Sequence, residues 1–113
     1  MYLLTGRKNS GYNIARMKYE ILFAPEAVQD FKCLSAKDRS TVKEAIERHL
    51  RYEPQKLSKS RIKKLQGISR PEYRLRVDEI RVFYDVAEAT VQVLAIIPKS
   101  KAAEWLEEMG EKK

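Results

Sequence analysis

This 113-residue sequence holds one cysteine, Cys33, and one histidine, His49. A single cysteine excludes an internal disulfide and a cysteine-based zinc site. A single histidine excludes a two-histidine metal centre and leaves a serine or cysteine triad hard to assemble. Four glycines are scattered along the chain and form no phosphate-cradling loop. The longest unbroken apolar run is Val93-Leu94-Ala95-Ile96-Ile97, far short of the ~18 residues that a membrane helix needs. Arg7 and Lys8 are followed by no apolar stretch, so a secretory signal is not expected. A reducing, cytoplasmic setting is the simplest expectation.

What is present in excess is positive charge. Lys and Arg number 23 against 16 Asp and Glu, a net charge of +7. From Lys56 to Arg76 there are eight basic residues, and Glu72 is the only acid. That span therefore carries the whole excess, and the rest of the chain is balanced. The expected partner is acidic, with nucleic acid first among the candidates.

The length fits one domain. Residues 1–16 are aperiodic and carry Gly6, Asn9, Ser10, Gly11 and Asn13. They are expected to be a loose arm, or an extension upstream of a natural start at Met17. Residues 17–113 are expected to be one α+β domain. Lys18 to Phe23 read as a strand. Pro25 suits a first helical position, and Val28, Phe31 and Leu34 give residues 25–34 a helical stripe. Ser35 and Asp38 predict the N-terminus of a second helix over 36–52, striped by Val42, Ala45, Ile46, His49 and Leu50. Residues 55–72 read as a basic connector. Tyr73, Leu75 and Val77 alternate with Arg74 and Arg76, and Ile80, Val82 and Tyr84 alternate with Arg81 and Phe83. Residues 90–97 are apolar on both faces, as in a central strand. Ser100 is placed to cap a last helix, with Ala102, Trp105, Leu106 and Met109 on its apolar side. The predicted order is β-α-α-β-β-β-α: a twisted antiparallel sheet with an N-terminal helical hairpin packed on it and a C-terminal helix.

A two-residue loop at Asp78-Glu79 predicts a register: Arg76 opposite Arg81, and Arg74 opposite Phe83. Like charges directly opposite destabilise a ladder. Three arginines on one face without an intervening acid predict an anion, and guanidinium groups grip phosphate in a bidentate way. Phe83 offers a stacking surface for a base. A plain solvated sheet face is the duller alternative. His49 reads as a packed or boundary residue, and Cys33 as a half-buried structural thiol.

Several segments together carry a family resemblance: Tyr19 to Ala27; Lys63-Lys64-Leu65-Gln66-Gly67; Tyr73-Arg74-Leu75-Arg76-Val77; Ile80-Arg81-Val82-Phe83-Tyr84; and Val91 to Ile96. The pattern resembles the RelE/ParE toxin family over residues 17 to about 106, and lies closer to RelE than to ParE. The resemblance implies the toxin of a type II toxin–antitoxin system, neutralised by an antitoxin from an adjacent gene. RelE-like toxins enter the ribosomal A site and cut mRNA without a metal or cofactor. ParE-like toxins instead act on DNA gyrase, and a degenerate member would only bind its antitoxin and reach operator DNA through that complex.

Carried over onto this chain, Arg74 and Arg76 fall where RelE-type nucleases place two basic residues, typically lysines, around the scissile phosphate. Arg81 falls on the phosphate-stabilising arginine. Lys99 and Lys101 are the candidates for a later basic position. Lys63 and Lys64 are expected to touch ribosomal RNA, and Phe83 or Trp105 a base. The family's C-terminal tyrosine lands near Trp105 or Leu106, and no tyrosine follows Tyr84. Cleavage through the 2′-hydroxyl needs a proton acceptor, and arginine is effectively never deprotonated. These residues are therefore expected to clamp phosphate and stabilise transition-state charge.

Overall fold

The computed structural model describes residues 17–113; the expected N-terminal arm, 1–16, lies outside the described residues. Strand β1 (Glu20–Phe23) leads into helix α1 (Pro25–Lys32) and helix α2 (Ala36–Leu50). Pro25 occupies the first turn of α1. Ser35 caps α2 by accepting the Asp38 N–H through its hydroxyl at 3.1 Å, which leaves one fewer orphan donor at the helix start. Strands β2 (Ile62–Lys64), β3 (Ile68–Arg70), β4 (Tyr73–Val77), β5 (Ile80–Ala87) and β6 (Thr90–Pro98) follow, then helix α3 (Lys99–Met109) and a short strand β7 (Glu111–Lys112).

Five strands form one sheet in the order β1-β6-β5-β4-β2, and β3 pairs with β7 separately. The fold class is α+β, as expected, and the sheet is antiparallel except that β1 runs parallel to β6. Parallel pairing is possible there because the α1–α2 hairpin and β2 to β5 intervene, long enough to carry the chain back to the same end. The stretch expected to be a connector holds β2 and β3. Their three-residue length hides any alternation.

The β4–β5 register is the predicted one: Arg74 faces Phe83, Leu75 faces Val82, Arg76 faces Arg81 and Val77 faces Ile80. Asp78 turns the hairpin with φ of 52°. One sheet face packs on the helical hairpin, where Val42, Ile46 and Leu50 from α2 meet Leu75, Val82, Tyr84, Val91, Val93 and Ile96. β6 contains a bulge. Phe83 pairs with Ala95 and Tyr84 with Val93, so Leu94 is the extra residue. The bulge breaks the period-two alternation of a regular strand: Ile96 joins Val91 and Val93 in the core, and Ala95 turns to the opposite face. The Ile96 N–H, freed there, donates to the Asp30 carboxylate on α1 at 3.0 Å.

Helix α3 lies across the other face. Its N-cap is Pro98, with no side-chain cap, and Ser100 sits inside the first turn rather than capping it. The reason is that β6 runs straight into the helix. The Lys99 N–H finds its partner in the Glu79 carbonyl, at 2.7 Å. Cys33 is exposed rather than half-buried, since it follows the last turn of α1 on the solvent side. Among the described residues, no helix is long and apolar enough to cross a membrane.

Candidate anion-binding face

The three arginines come together on the face opposite the helical hairpin. Strand alternation aims Arg74 and Arg76 away from the core, and hairpin pairing brings Arg81 opposite Arg76. Directly opposite residues stand with Cβ atoms about 5 Å apart. Arg81 is only 7% exposed. Its Nη1 donates to the carbonyls of Asp78 at 2.8 Å and Ile80 at 3.0 Å. These contacts fix the guanidinium without neutralising it.

Arg74 is partly buried, and its Nε is a buried donor without a partner among the described residues. Burial, then the charges of Arg81 and Arg76, hold the Arg74 pKa below the ordinary arginine value. It stays protonated at neutral pH all the same, because arginine starts above 12. The direction of that shift records like charges crowded together. None of the three makes an ion pair among the described residues. Asp85, on the same strand face as Arg81 and Phe83, is committed elsewhere. Its carboxylate meets Arg70 Nε at 3.1 Å and accepts the Glu72 N–H at 2.7 Å. Burial pushes the Asp85 pKa up. Sequence alternation alone places Asp85 on this face; its pairing with Arg70 depends on the β3–β4 bend and is not readable from the chain.

The remaining candidates divide. Lys63 pairs with Arg74 across β2–β4 and shares its face, whereas Lys64 pairs with Tyr73 and takes the other side at the sheet edge. Lys99 and Lys101 are exposed in the first turn of α3, beside the turn that precedes Arg81. Phe83 is 1% exposed. Its ring is stacked by Trp105, centroids 5.0 Å apart and planes 13° apart. Phe83 is therefore covered, and Trp105, partly buried above it, is the aromatic that a base can meet. Arg61, which the sequence does not distinguish from its lysine neighbours, accepts the Arg76 N–H through its carbonyl at 2.8 Å. That bond extends the Arg76–Arg81 row to the sheet edge.

The face offers a clamp of fixed cations with an aromatic wall, suited to a phosphodiester next to a base. Among the described residues, Asp85 is the carboxylate that strand alternation puts on this face, and it is already engaged by Arg70 and the Glu72 N–H. His49 lies on α2, across the sheet. Tyr84 points into the core, where its hydroxyl donates to the Pro54 carbonyl at 2.6 Å.

By sequence, no family model and no curated protein matches the chain. By structure it is similar to a chain of the archaeal RelE–RelB complex from Pyrococcus horikoshii OT3, with 25% identity and a TM-score of 0.61, over 75% of this chain and 99% of that one. It is also similar to a chain of the RelB–RelE antitoxin–toxin complex from Methanococcus jannaschii, with 24% identity and a TM-score of 0.57, over 74% and 96%. The isolated RelE toxin of E. coli aligns over 78% of this chain and 98% of its own, with 16% identity and a TM-score of 0.54.

Proposed function

We propose that this chain, whose fold is that of the RelE toxins, is the toxin of a type II toxin–antitoxin pair that binds the translating ribosome and cleaves mRNA. The observation that carries the reading is the cluster of Arg74, Arg76 and Arg81: one face, no ion pair, and a buried unpartnered Nε. Such a cluster is electrostatically unfavourable until an anion joins it. Because the Pyrococcus protein is solved with RelB, an antitoxin encoded beside this gene is the expected protein partner.

The chemistry follows from what the face holds. Arg81, fixed by two carbonyls, grips the scissile phosphate, and Arg74 and Arg76 spread the charge that develops on it. Trp105 stacks on the neighbouring base, and Lys63, Lys99 and Lys101 guide the flanking backbone. Positioning the 2′-hydroxyl in line with the phosphate supplies several kcal/mol by itself. With Asp85 held by Arg70, the described face lacks a free side chain to accept the hydroxyl proton, so the rate rests on positioning and charge stabilisation and is slow for a nuclease. That same lack favours a second reading, a non-nuclease toxin acting on DNA gyrase.

Induction of the full chain beside its Arg81→Ala variant separates the two. Growth arrest with codon-phased mRNA ends, absent in the variant, is the expected result. Arrest with intact mRNA and broken DNA would replace the ribosome with gyrase.

A further inference from the structure

A second basic site lies around the sheet edge from the arginine face. Between the end of α2 and the 53–62 segment is a cleft of about 220 Å³, lined by Arg48, His49, Glu53, Lys56, Ser58 and Arg61 among others. Its walls are fixed by hydrogen bonds. The Pro54 carbonyl is held by the Tyr84 hydroxyl. Ser58 Oγ accepts the N–H groups of Arg61 at 2.9 Å and Ile62 at 3.1 Å. The Arg61 carbonyl is held by Arg76.

Three cations face one carboxylate in this cleft. Lys56 lies 3.9 Å from Glu53, and Arg48 lies 3.8 Å from Glu44, both pairs largely exposed. Arg61 has no ion pair among the described residues. An adjoining hollow adds Glu44 and Asp78. His49 registers the local field: burial, then the charges of Arg61 and Arg48, hold its pKa below the ordinary imidazole value. At neutral pH the imidazole is uncharged, free to donate one hydrogen bond.

We infer that this cleft is a second phosphodiester contact, taking the backbone of the same RNA strand that the arginine face holds. Continuity argues for RNA over an acidic protein. Arg81, Arg76 and Arg61 sit opposite one another on β5, β4 and the approach to β2. Strands spaced by ~4.8 Å carry that row about 10 Å from face to edge. A strand leaving Arg81 passes Arg76 and meets Arg61 at the edge, then Arg48 and Lys56. The inference rests on the RNA reading of the arginine face and adds the path by which RNA leaves it.

His49 is the only histidine, so its ring gives a single imidazole NMR signal. The full chain is titrated with a 2′-O-methylated RNA hexanucleotide, which cannot be cleaved. The expected result is an upward move of the His49 titration midpoint, because a phosphate offsets Arg48 and Arg61. In an Arg48→Gln/Arg61→Gln double variant the slope of log affinity against log salt falls by about 1.4, roughly 0.7 for each lost phosphate contact on a single strand, and thermal melting confirms that the variant is folded. Hexanucleotide binding that needs Arg81 but leaves the His49 midpoint and the slope in place overturns this inference and spares the arginine face. No binding at all overturns this inference, while the ribosome-dependent reading of the arginine face is decided separately by the mRNA ends with and without Arg81→Ala. An equal move of the His49 midpoint with a poly-aspartate peptide overturns the assignment to RNA.

Discussion

Arg76 and Arg81 face each other across the β4–β5 ladder, and neither is ion-paired among the described residues. On the proposed function, stability and activity therefore pull apart at this pair. A cross-strand like-charge pair costs a few tenths of a kcal/mol up to about 1 kcal/mol. Arg76→Thr removes the repulsion and adds a good strand former. We expect it to raise the urea midpoint at low salt, with a gain that shrinks as salt screens the charges. The same variant loses growth inhibition. A stability gain with toxicity unchanged would remove Arg76 from the site.

Trp105 is the only tryptophan, so intrinsic fluorescence reports directly on α3. The helix is pinned at its start by the Lys99–Glu79 backbone bond and beyond its end by β7, where the Lys113 N–H donates to the Gly67 carbonyl and Ser69 Oγ donates to the Glu111 carbonyl at 3.0 Å. Removing residues 111–113 releases the far end. The expected signature is a red-shifted emission and stronger acrylamide quenching, with a loss of ~1 kcal/mol from the missing hydrogen bonds. Unchanged emission would mean that the Phe83 stack alone holds the helix.

Tyr84 is fully buried. Burial, with a smaller contribution from Tyr73, pushes its phenol pKa far above the ordinary value. The ring also stacks on Tyr73 at 5.4 Å. A folded-state pKa above the unfolded one stabilises the fold below pH ~10, where both states keep the proton. Above that pH the unfolded chain releases a proton that the folded chain retains, and stability falls by ~1.4 kcal/mol per pH unit. Tyr84→Phe removes this one-proton component from the alkaline slope. It also leaves the Pro54 carbonyl unpaired, costing ~1–2 kcal/mol at neutral pH. Chemical denaturation from pH 8 to 11 on both proteins reads both effects.

Much of this architecture was legible in the chain because it rests on local periodicity. The alternation through Tyr73–Val77 and Ile80–Tyr84, with room for a two-residue turn, sets a register in which Arg76 must meet Arg81. The Ser35 cap is equally local. What stayed hidden depends on distant partners. β2 and β3 are too short to alternate, and exist because β4 and β7 supply their hydrogen bonds. Phe83 looks like an open platform until Trp105, 22 positions later, covers it. Arg61 looks like one more basic residue until the Arg76 N–H ties it to the end of the arginine row.

The bulge at Leu94 is the plainest case of a long-range cause. A run such as Val93 to Ile97 is apolar on both sides, so the sequence does not say which residues face the helices. Core packing of Ile96 and the Asp30 carboxylate, 66 positions away, both favour the observed facing: Asp30 accepts the Ile96 N–H that the bulge frees. Asp30→Ala leaves that partly buried donor without its partner, an expected loss of ~1–3 kcal/mol. Asp30→Asn keeps an acceptor oxygen and recovers part of the loss, because a charged acceptor binds about twice as strongly as a neutral one. Hydrogen exchange locates the effect. The Ile96 amide exchanges faster in Asp30→Ala, while the β4–β5 amides keep their protection relative to global stability. Equal losses in the Ala and Asn variants would show that the carboxylate's charge, rather than its acceptor oxygen, sets the bulge.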